Sequence, residues 1–271
     1  MRAYLRQLPA GARDRLWRLV GGRNWRLSHR LRRLLHSFSR HPLPGWRAWN
    51  SDLSFSTQWA VKEGTIRHSW RGVPMLKHPI KIALYPLLFW QANPRTIFEI
   101  GTNCGGSAIF FSDVMRAYDR ECRIITIDVA VPDPPIRPAN VEFLRGDAAD
   151  LGRTLTPELL ASCPRPWLVI EDASHQYAHT RAVLQFFEAM MQAGEYLVVE
   201  DANVTHMGDD GRFGGGPGRA VEEFLAAARG RYAIDDDYCD RFGHNVTGNP
   251  NGYLRVSVRQ TPCLTGDRPA T

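Results

Sequence analysis

The sequence predicts an α/β fold, a doubly wound and mostly parallel sheet preceded by a helical N-terminal extension. Three observations carry this. Five short apolar runs alternate with helical patterns, all five end on acidic residues, and the first passes into a glycine-bearing turn, "FEIGTNCGGS" (98–107). Apolar runs separated by helices are the signature of parallel strands covered on both faces. With 271 residues, 44% of them hydrophobic, the chain is long enough for one large domain with appendages.

The elements follow in order. Residues 1–40 hold eleven Arg and one acid, Asp14, so a chain of net charge +6 keeps −4 for everything after this leader. Within it, Leu27, Leu31, Leu34, Leu35 and Phe38 recur at steps of three and four between arginines, which predicts a basic amphipathic helix. Such a helix suits packing on the body or on a second subunit, or contact with an anionic membrane surface. A nucleic-acid arm is disfavoured, because no nucleic-acid-reading motif accompanies it. "HPLPGW" (41–46) breaks the helix, and the extension with its linker is expected to occupy residues 1–58 and the main domain 59–271.

"IKIALYPLLFWQANP" (80–94) predicts a helix with Pro86 near its start or at a kink. Strands are then expected at "TIFEIG" (96–101), "RIITIDV" (123–129), "VEFLRGD" (141–147), "PWLVIED" (166–172) and "EYLVVED" (195–201). Helices are expected at 107–118, 157–163, 180–194 and 218–228. Two weaker strands follow, "RYAIDDDY" (231–238) and "YLRVSVR" (253–259). The five Cys are odd in number and form no CxxC pair, which argues against a disulfide framework or zinc site and for a reducing, cytoplasmic location. No stretch approaches the ~20 apolar residues of a membrane span.

Ligands of doubly wound sheets sit outside the carboxyl ends of the strands. Those ends carry Glu99, Asp128, Asp147, Asp172 and the pair Glu200–Asp201. Capping of the next helix explains any one of these acids; five together point to ligand chemistry. The turn spacing, Gly101 then Gly105 and Gly106, is not the G-x-G-x-x-G of a dinucleotide site, and no Gly-Lys-Ser/Thr follows. An acid two residues before the first glycine suits a cation such as an ammonium. Asp128 is placed to accept ribose hydroxyls. A ligand with an ammonium, a ribose and no phosphate is S-adenosylmethionine (SAM).

The stretches "IFEIGTNCGGSAIFFSD", "IITIDV", "EFLRGDAAD", "IEDASH", "YLVVED", "GPGRAVEEFL" and "NPNGYL" resemble, in the same order, the cephalosporin hydroxylase family. That family is similar to class I SAM-dependent methyltransferases of Rossmann-like fold and includes rhamnosyl O-methyltransferases. The resemblance spans roughly Lys77 to Arg255. It implies that Glu99, Gly101 and Gly105 line the methionine end of SAM, with Ser107 beside them. It further implies that Asp128 binds the ribose and that Asp147 lies near the adenine. Glu171 departs from the family pattern, which has an apolar residue before the Asp of the D-x-x-H element.

If the strands ending in Asp172 and in Glu200–Asp201 are neighbours, they lie about 4.8 Å apart and three carboxylates converge. A hard divalent cation relieves their repulsion, and all-oxygen ligation favours Mg²⁺, with Ca²⁺ or Mn²⁺ as substitutes. The resemblance points the same way. His175, three residues after Asp172, is placed to act as general base. His179 is expected at the surface, and His206 and His244 are weaker candidates for the acceptor pocket. "MGDDGRFGGGPG" (207–218) predicts a mobile lid. "DPPI" (133–136) follows the wrong strand for an amino-group methyltransferase motif.

Together these expectations describe a SAM- and metal-dependent O-methyltransferase acting on a hydroxyl of a sugar or glycosylated natural product. The acceptor is a small molecule, nucleic acid is not a partner, and homo-oligomerisation and peripheral membrane contact are expected of the extension. The alternatives are a metal-dependent hydroxylase, which needs two His and one carboxylate, and a non-catalytic SAM- or metal-binding scaffold.

Overall fold

A computed structural model describes residues 47–204 and 211–257. The expected leader helix, its linker, His206 and the first part of the glycine-rich loop lie outside the described residues.

The compact unit begins at Trp49. Its first helix, α1 (Phe55–Thr65), is capped by Ser54, whose Oγ accepts from Thr57 N at 3.2 Å. The boundary expected between residues 58 and 59 therefore falls inside a helix. A two-stranded hairpin follows, β1 (Ser69–Trp70) and β2 (Val73–Pro74). Its turn residues Arg71 and Gly72 both have positive φ, which matches the twist of a two-residue hairpin. Helix α2 (Pro79–Ala92) starts where His78 Nδ1 accepts from Ile80 N and ends at Asn93 in the left-handed region. It begins at Pro79 and runs through Pro86, which sits well inside it rather than near its start.

The main sheet comprises β3 (Thr96–Ile100), β4 (Arg123–Asp128), β5 (Val141–Arg145), β6 (Trp167–Glu171), β7 (Tyr196–Val199), β8 (Tyr232–Ile234) and β9 (Tyr253–Val256). Their spatial order is β5-β4-β3-β6-β7-β9-β8. The first five are parallel, and β9 is antiparallel to both β7 and β8. The strand order reverses at β3, between β4 and β6, so this is the topological switch point where such sheets bind ligands. The helices are α3 (Gly106–Ala117), α4 (Pro157–Ala161), α5 (Tyr177–Glu188), α6 (Gly216–Ala227) and the single turn α7 (Asp236–Cys239). The strand expected through Tyr238 stops at Ile234, because Asp235 caps α7 by accepting from Asp237 N. Helix α5 stops short of the expected Gly194.

Strand periodicity assigns the two faces. Phe98, Ile100, Val169, Leu197 and Val199 pack toward α5 and α6 with Leu184, Phe187 and Val221. Ile97, Leu168, Ile170 and Val198 pack toward α2 and α3 with Leu84, Leu88 and Phe111. The same alternation carries the acids. Glu99 and Glu200 point to the α2 face, where they meet Lys77, Lys81 and Tyr85. Glu171 points to the opposite face and meets Thr180 of α5.

Candidate active site

A cleft of about 710 Å³ opens at the carboxyl ends of β3, β4, β5 and β6. One wall comes from α1 and the segment after β2, through Thr65, Ile66, Met75 and Leu76, which the sequence reading had not placed there. Gly101, Ser107, Asp128, Asp147, Asp172, His175 and Asp201 all line this cleft.

The turn after β3 is held by close packing. At Gly101, φ is +105° and a Cβ would lie 2.0 Å from the carbonyl oxygen of Asp172. Only a bare backbone fits between the ends of β3 and β6. Gly105 lies beneath the cleft, where a Cβ would press on the Phe143 ring at 2.9 Å. With a φ of +86° at the cap of α3, Gly105 is favoured there by backbone conformation as well as by packing. Glu99 lies two residues before Gly101, on β3. It is fully buried under the cleft, accepting from Thr126 Oγ1 at 2.7 Å, with Lys77 Nζ 3.8 Å away.

Asp128 Oδ2 accepts from the backbone N–H groups of Thr102 and Asn103, both at 2.9 Å, and Oδ1 accepts from Ala130 N at 3.2 Å. A carboxylate has about four acceptor positions, so Asp128 shapes the loop and keeps capacity for a ligand hydroxyl. Asp147 Oδ1 accepts from Ala149 N at 2.8 Å.

On the other side of the switch point, Asp172, His175 and Asp201 bring ligand atoms within 4.8 Å of one another. His175 Nε2 lies 3.4 Å from Asp201 Oδ2. His175 and Asp201, like Asn103 across the cleft, have positive φ (60°, 53° and 49°). Asn, Asp and His tolerate this region best among residues with a side chain, and its use at three cleft positions marks a site where placement overrides backbone preference. The His175 ring also meets Phe213 edge-on, with centroids 5.9 Å apart. Asp201 N donates to Asn249 Oδ1, so the NPNG turn fixes the end of β7.

Glu200 does not join this trio. Its Oε1 accepts from Lys77 Nζ at 2.8 Å and from Tyr85 Oη, and its Oε2 accepts from Lys81 Nζ at 2.6 Å. Each oxygen thus accepts at least one hydrogen bond, and the residue is completely buried. Of the expected ligand set, Asp172 and Asp201 face the cleft beside the His175 imidazole, and Glu200 lies behind them against Lys77, Lys81 and Tyr85. Lys77, Lys81 and Tyr85 were not singled out in the sequence. The spacing of four between Lys81 and Tyr85 is a signal that places two donors on one face of α2, with Lys77 just before its cap His78.

The electrostatics follow from this network. Burial and Glu200 push the Asp172 carboxyl well above the usual carboxylate range, and the Lys77 ammonium at 2.5 Å only partly opposes them. Lys77 is shared with Glu200 and Glu99, so its charge is divided among three acids. Burial acts against Glu200 as well, yet Lys77 and Lys81 together hold it below its ordinary value. Asp201, opposed by burial, is held well below by Lys81 and His175. Burial pushes Glu171 up to about 7, against hydrogen bonds from Thr180 and Ala173 N. Glu171 lies on the far face of β6, so its charge is outside the cleft.

His179, expected at the surface, lines the cleft, and its Nδ1 lies 2.6 Å from Ser174 Oγ. His244 sits elsewhere, 3.3 Å from Asp240. The described part of the glycine-rich loop, residues 211–215, is anchored to the start of α5. Phe213 O accepts from Tyr177 N at 3.0 Å, and Arg219 reaches Gly214 O at 3.2 Å while stacking over the Tyr177 ring.

Comparison with known proteins places this arrangement. The model of the family described as "Rhamnosyl O-methyltransferase/CmcI" matches residues 63–257. A rhamnosyl O-methyltransferase of Mycobacterium leprae (strain TN) is 28% identical over 193 residues, covering 69% of this chain and 82% of the relative. Its counterpart in Mycobacterium tuberculosis (strain ATCC 25618 / H37Rv) is 29% identical over 174 residues, covering 63% and 70%. An apo structure of CmcI superposes with a TM-score of 0.56 at 29% identity over 71% of this chain and 77% of that one. A CmcI structure described as containing Mg and SAM superposes at 0.55 and 25% identity, over 83% and 84%. On its sequence and its fold, the chain belongs to the rhamnosyl O-methyltransferase/CmcI family.

Proposed function

We propose that the protein transfers the methyl group of SAM to a hydroxyl of a sugar or glycosylated small molecule, assisted by a divalent cation, Mg²⁺ by preference. The observation that carries this reading is that one cleft unites the Gly101 turn and Asp128 with the Asp172–His175–Asp201 trio. Relatives named for rhamnosyl O-methylation, and a neighbour containing Mg and SAM, support the substrate class and both cofactors.

The residues present suit both groups. Gly101, Ser107, Asp128 and Asp147 would hold SAM, with Asp128 offering its remaining acceptor capacity to the ribose. Lys77 occupies Asp172 Oδ2 and Lys81 occupies Asp201 Oδ1, which leaves one oxygen of each aspartate for a cation. When bound, SAM supplies an activated methyl group and the cation lowers the pKa of a coordinated hydroxyl. His175 Nε2 would take the proton of the acceptor hydroxyl as that oxygen accepts the methyl group. Its side chain is 29% exposed, so the proton passes on to solvent. The backbone packed at Gly101 keeps the reacting groups on a rigid floor, and orientation supplies much of the rate. The hydroxylase alternative is disfavoured by the donor set, which holds one His and two acids.

No helix among the described residues is long and apolar enough to cross a membrane. The Arg-rich residues 1–40 support peripheral contact with anionic lipid or self-association, which liposome flotation and light scattering of full-length and truncated chains test directly.

The reading is tested by calorimetry with S-adenosylhomocysteine and by methyl transfer to rhamnosyl glycosides before and after chelation. Nucleoside binding that persists after chelation, with transfer lost and restored by Mg²⁺, is the expected result. Transfer that survives exhaustive chelation refutes the metal role, and absence of nucleoside binding by folded protein refutes the assignment.

A further inference from the structure

We propose that Phe213 is a specificity-determining residue for the acceptor, its ring receiving the apolar C–H face of the sugar while His175 meets the hydroxyl to be methylated. This rests on the sugar O-methyltransferase reading above.

The placement starts in the sequence. "RFGGGPG" (212–218) holds three consecutive glycines, and Gly214, Gly215 and Gly216 all have positive φ (63°, 98° and 65°). Three left-handed residues in a row make a tight reversal that side chains would strain. The reversal leads into α6 and sets Phe213 at its entrance. Hydrogen bonds fix it there. Phe213 O accepts from Tyr177 N and from Gly216 N, both at 3.0 Å, and Arg212 O accepts from Gln176 Nε2 at 3.3 Å. In the first turn of α6, a Cβ on Gly218 would fall 2.9 Å from Ala202 O, so the helix abuts the chain just beyond Asp201. The backbone carrying Phe213 is thus tied to the segments after β6 and β7, which carry His175 and Asp201.

The fold does not use the ring itself. Phe213 is half-buried and belongs to neither side of the hydrophobic core. Its ring packs against His175 instead, with centroids 5.9 Å apart and planes at 76°, and the Arg212 guanidinium, 5.3 Å from its centroid, steadies its tilt. Among the described residues it is the one aromatic ring beside His175, whose Nε2 faces Asp201 Oδ2. A base must come within about 2.6–3.2 Å of the oxygen it deprotonates. An acceptor so placed brings its ring carbons within range of the phenyl ring that packs on the base. A pyranose has hydroxyls at its edge and C–H groups on its faces. The negative face of an aromatic ring attracts those hydrogens, and the contact buries apolar area. Carboxylates and imidazole can read the hydroxyls but offer nothing to the C–H face. Phe213 supplies that wall, the division of polar and apolar lining that orients ligands in pockets.

The test is steady-state methyl transfer by the full chain to rhamnosyl glycosides at saturating SAM and Mg²⁺, with S-adenosylhomocysteine and Mn²⁺ binding as controls. Phe213→Ala is expected to raise the acceptor KM ~10-fold, as loss of one aromatic contact implies. The kcat, its pH profile and both control affinities should stay near the parent's, the pattern of lost acceptor binding. Phe213→Tyr keeps the ring and should hold KM within about threefold, while Phe213→Leu, with bulk but no π face, should fall between. An unchanged KM in Phe213→Ala overturns the inference. So does a fall in kcat at constant KM with a displaced pH profile, which makes Phe213 a positioning residue for His175. Should Phe213→Ala not fold, equal KM values for Phe213→Leu and Phe213→Tyr overturn it as well. Failure of the underlying reading is distinct, since the parent protein then methylates none of the glycosides.

Discussion

Replacing Gly101 with Ala tests the packing on which the cleft floor depends. Two costs arise at once. A φ of +105° is outside the regions open to residues with a Cβ, a cost of ~1–2 kcal/mol. The new Cβ would stand 2.0 Å from Asp172 O and 2.8 Å from Ala173 Cα, so backbone must move. Relief is obstructed on both sides, because Gly101 N donates to Ile127 O and Asp172 N donates to Ile100 O, each at 2.8 Å. Overpacking against fixed backbone costs ~1–3 kcal/mol. The sum is on the order of 3 kcal/mol, which for a unit of this size lowers Tm by on the order of 10 °C. Because Gly101 and Asp172 both line the cleft, S-adenosylhomocysteine affinity should fall as well. Gly230→Ala is the control. Its φ is +80° with nothing within 4 Å of the added Cβ, so it isolates the backbone cost, with ligand binding unchanged. The assay is thermal denaturation with calorimetric titration of the nucleoside. A Gly101→Ala variant that binds like the parent and loses no more Tm than Gly230→Ala would falsify the argument.

Two further substitutions probe the carboxyl side chain behind the cleft and the imidazole within it. Burial raises Glu171 from an ordinary 4.5 to about 7. The folded state therefore holds a proton that the unfolded chain has lost, and stability declines as pH rises through that window. Glu171→Gln keeps partners for Thr180 and Ala173 N without the charge. It should match the parent near pH 5 and exceed it at pH 8 by up to ~3 kcal/mol, at ~1.4 kcal/mol per unit; equal urea midpoints at pH 8 would refute the assignment. His175→Ala should reduce turnover by ~10²–10⁴-fold near neutral pH while nucleoside and Mn²⁺ affinities hold, with the residual rate climbing with pH. Loss of Mn²⁺ would make His175 a ligand instead, and full activity would make it structural.

The sequence by itself determined the strands of the parallel sheet, the glycine turn after the first of them, and the acids at their ends. These are short-range properties, because alternation with period two and the steric demands of a turn act within a few residues. The same period already contained the fate of Glu171, since residues adjacent in a strand face opposite sides and only one of Glu171 and Asp172 could enter the cleft. What the acids touch was decided by tertiary structure. Asp172 meets Lys77 across 95 residues of chain, and Glu200 meets Lys81 across 119. The spacing of Lys81 and Tyr85 reveals a helix face but not the strand end it docks against. Gly105 shows the same division, since its positive φ suits the turn while the Phe143 ring beneath it arrives from β5. Convergence of acids was therefore legible, but the division of labour among them was not. In a buried cluster the partners of each carboxylate oxygen depend on cations that the fold brings in from far along the chain, here from α2 and the residue before its cap.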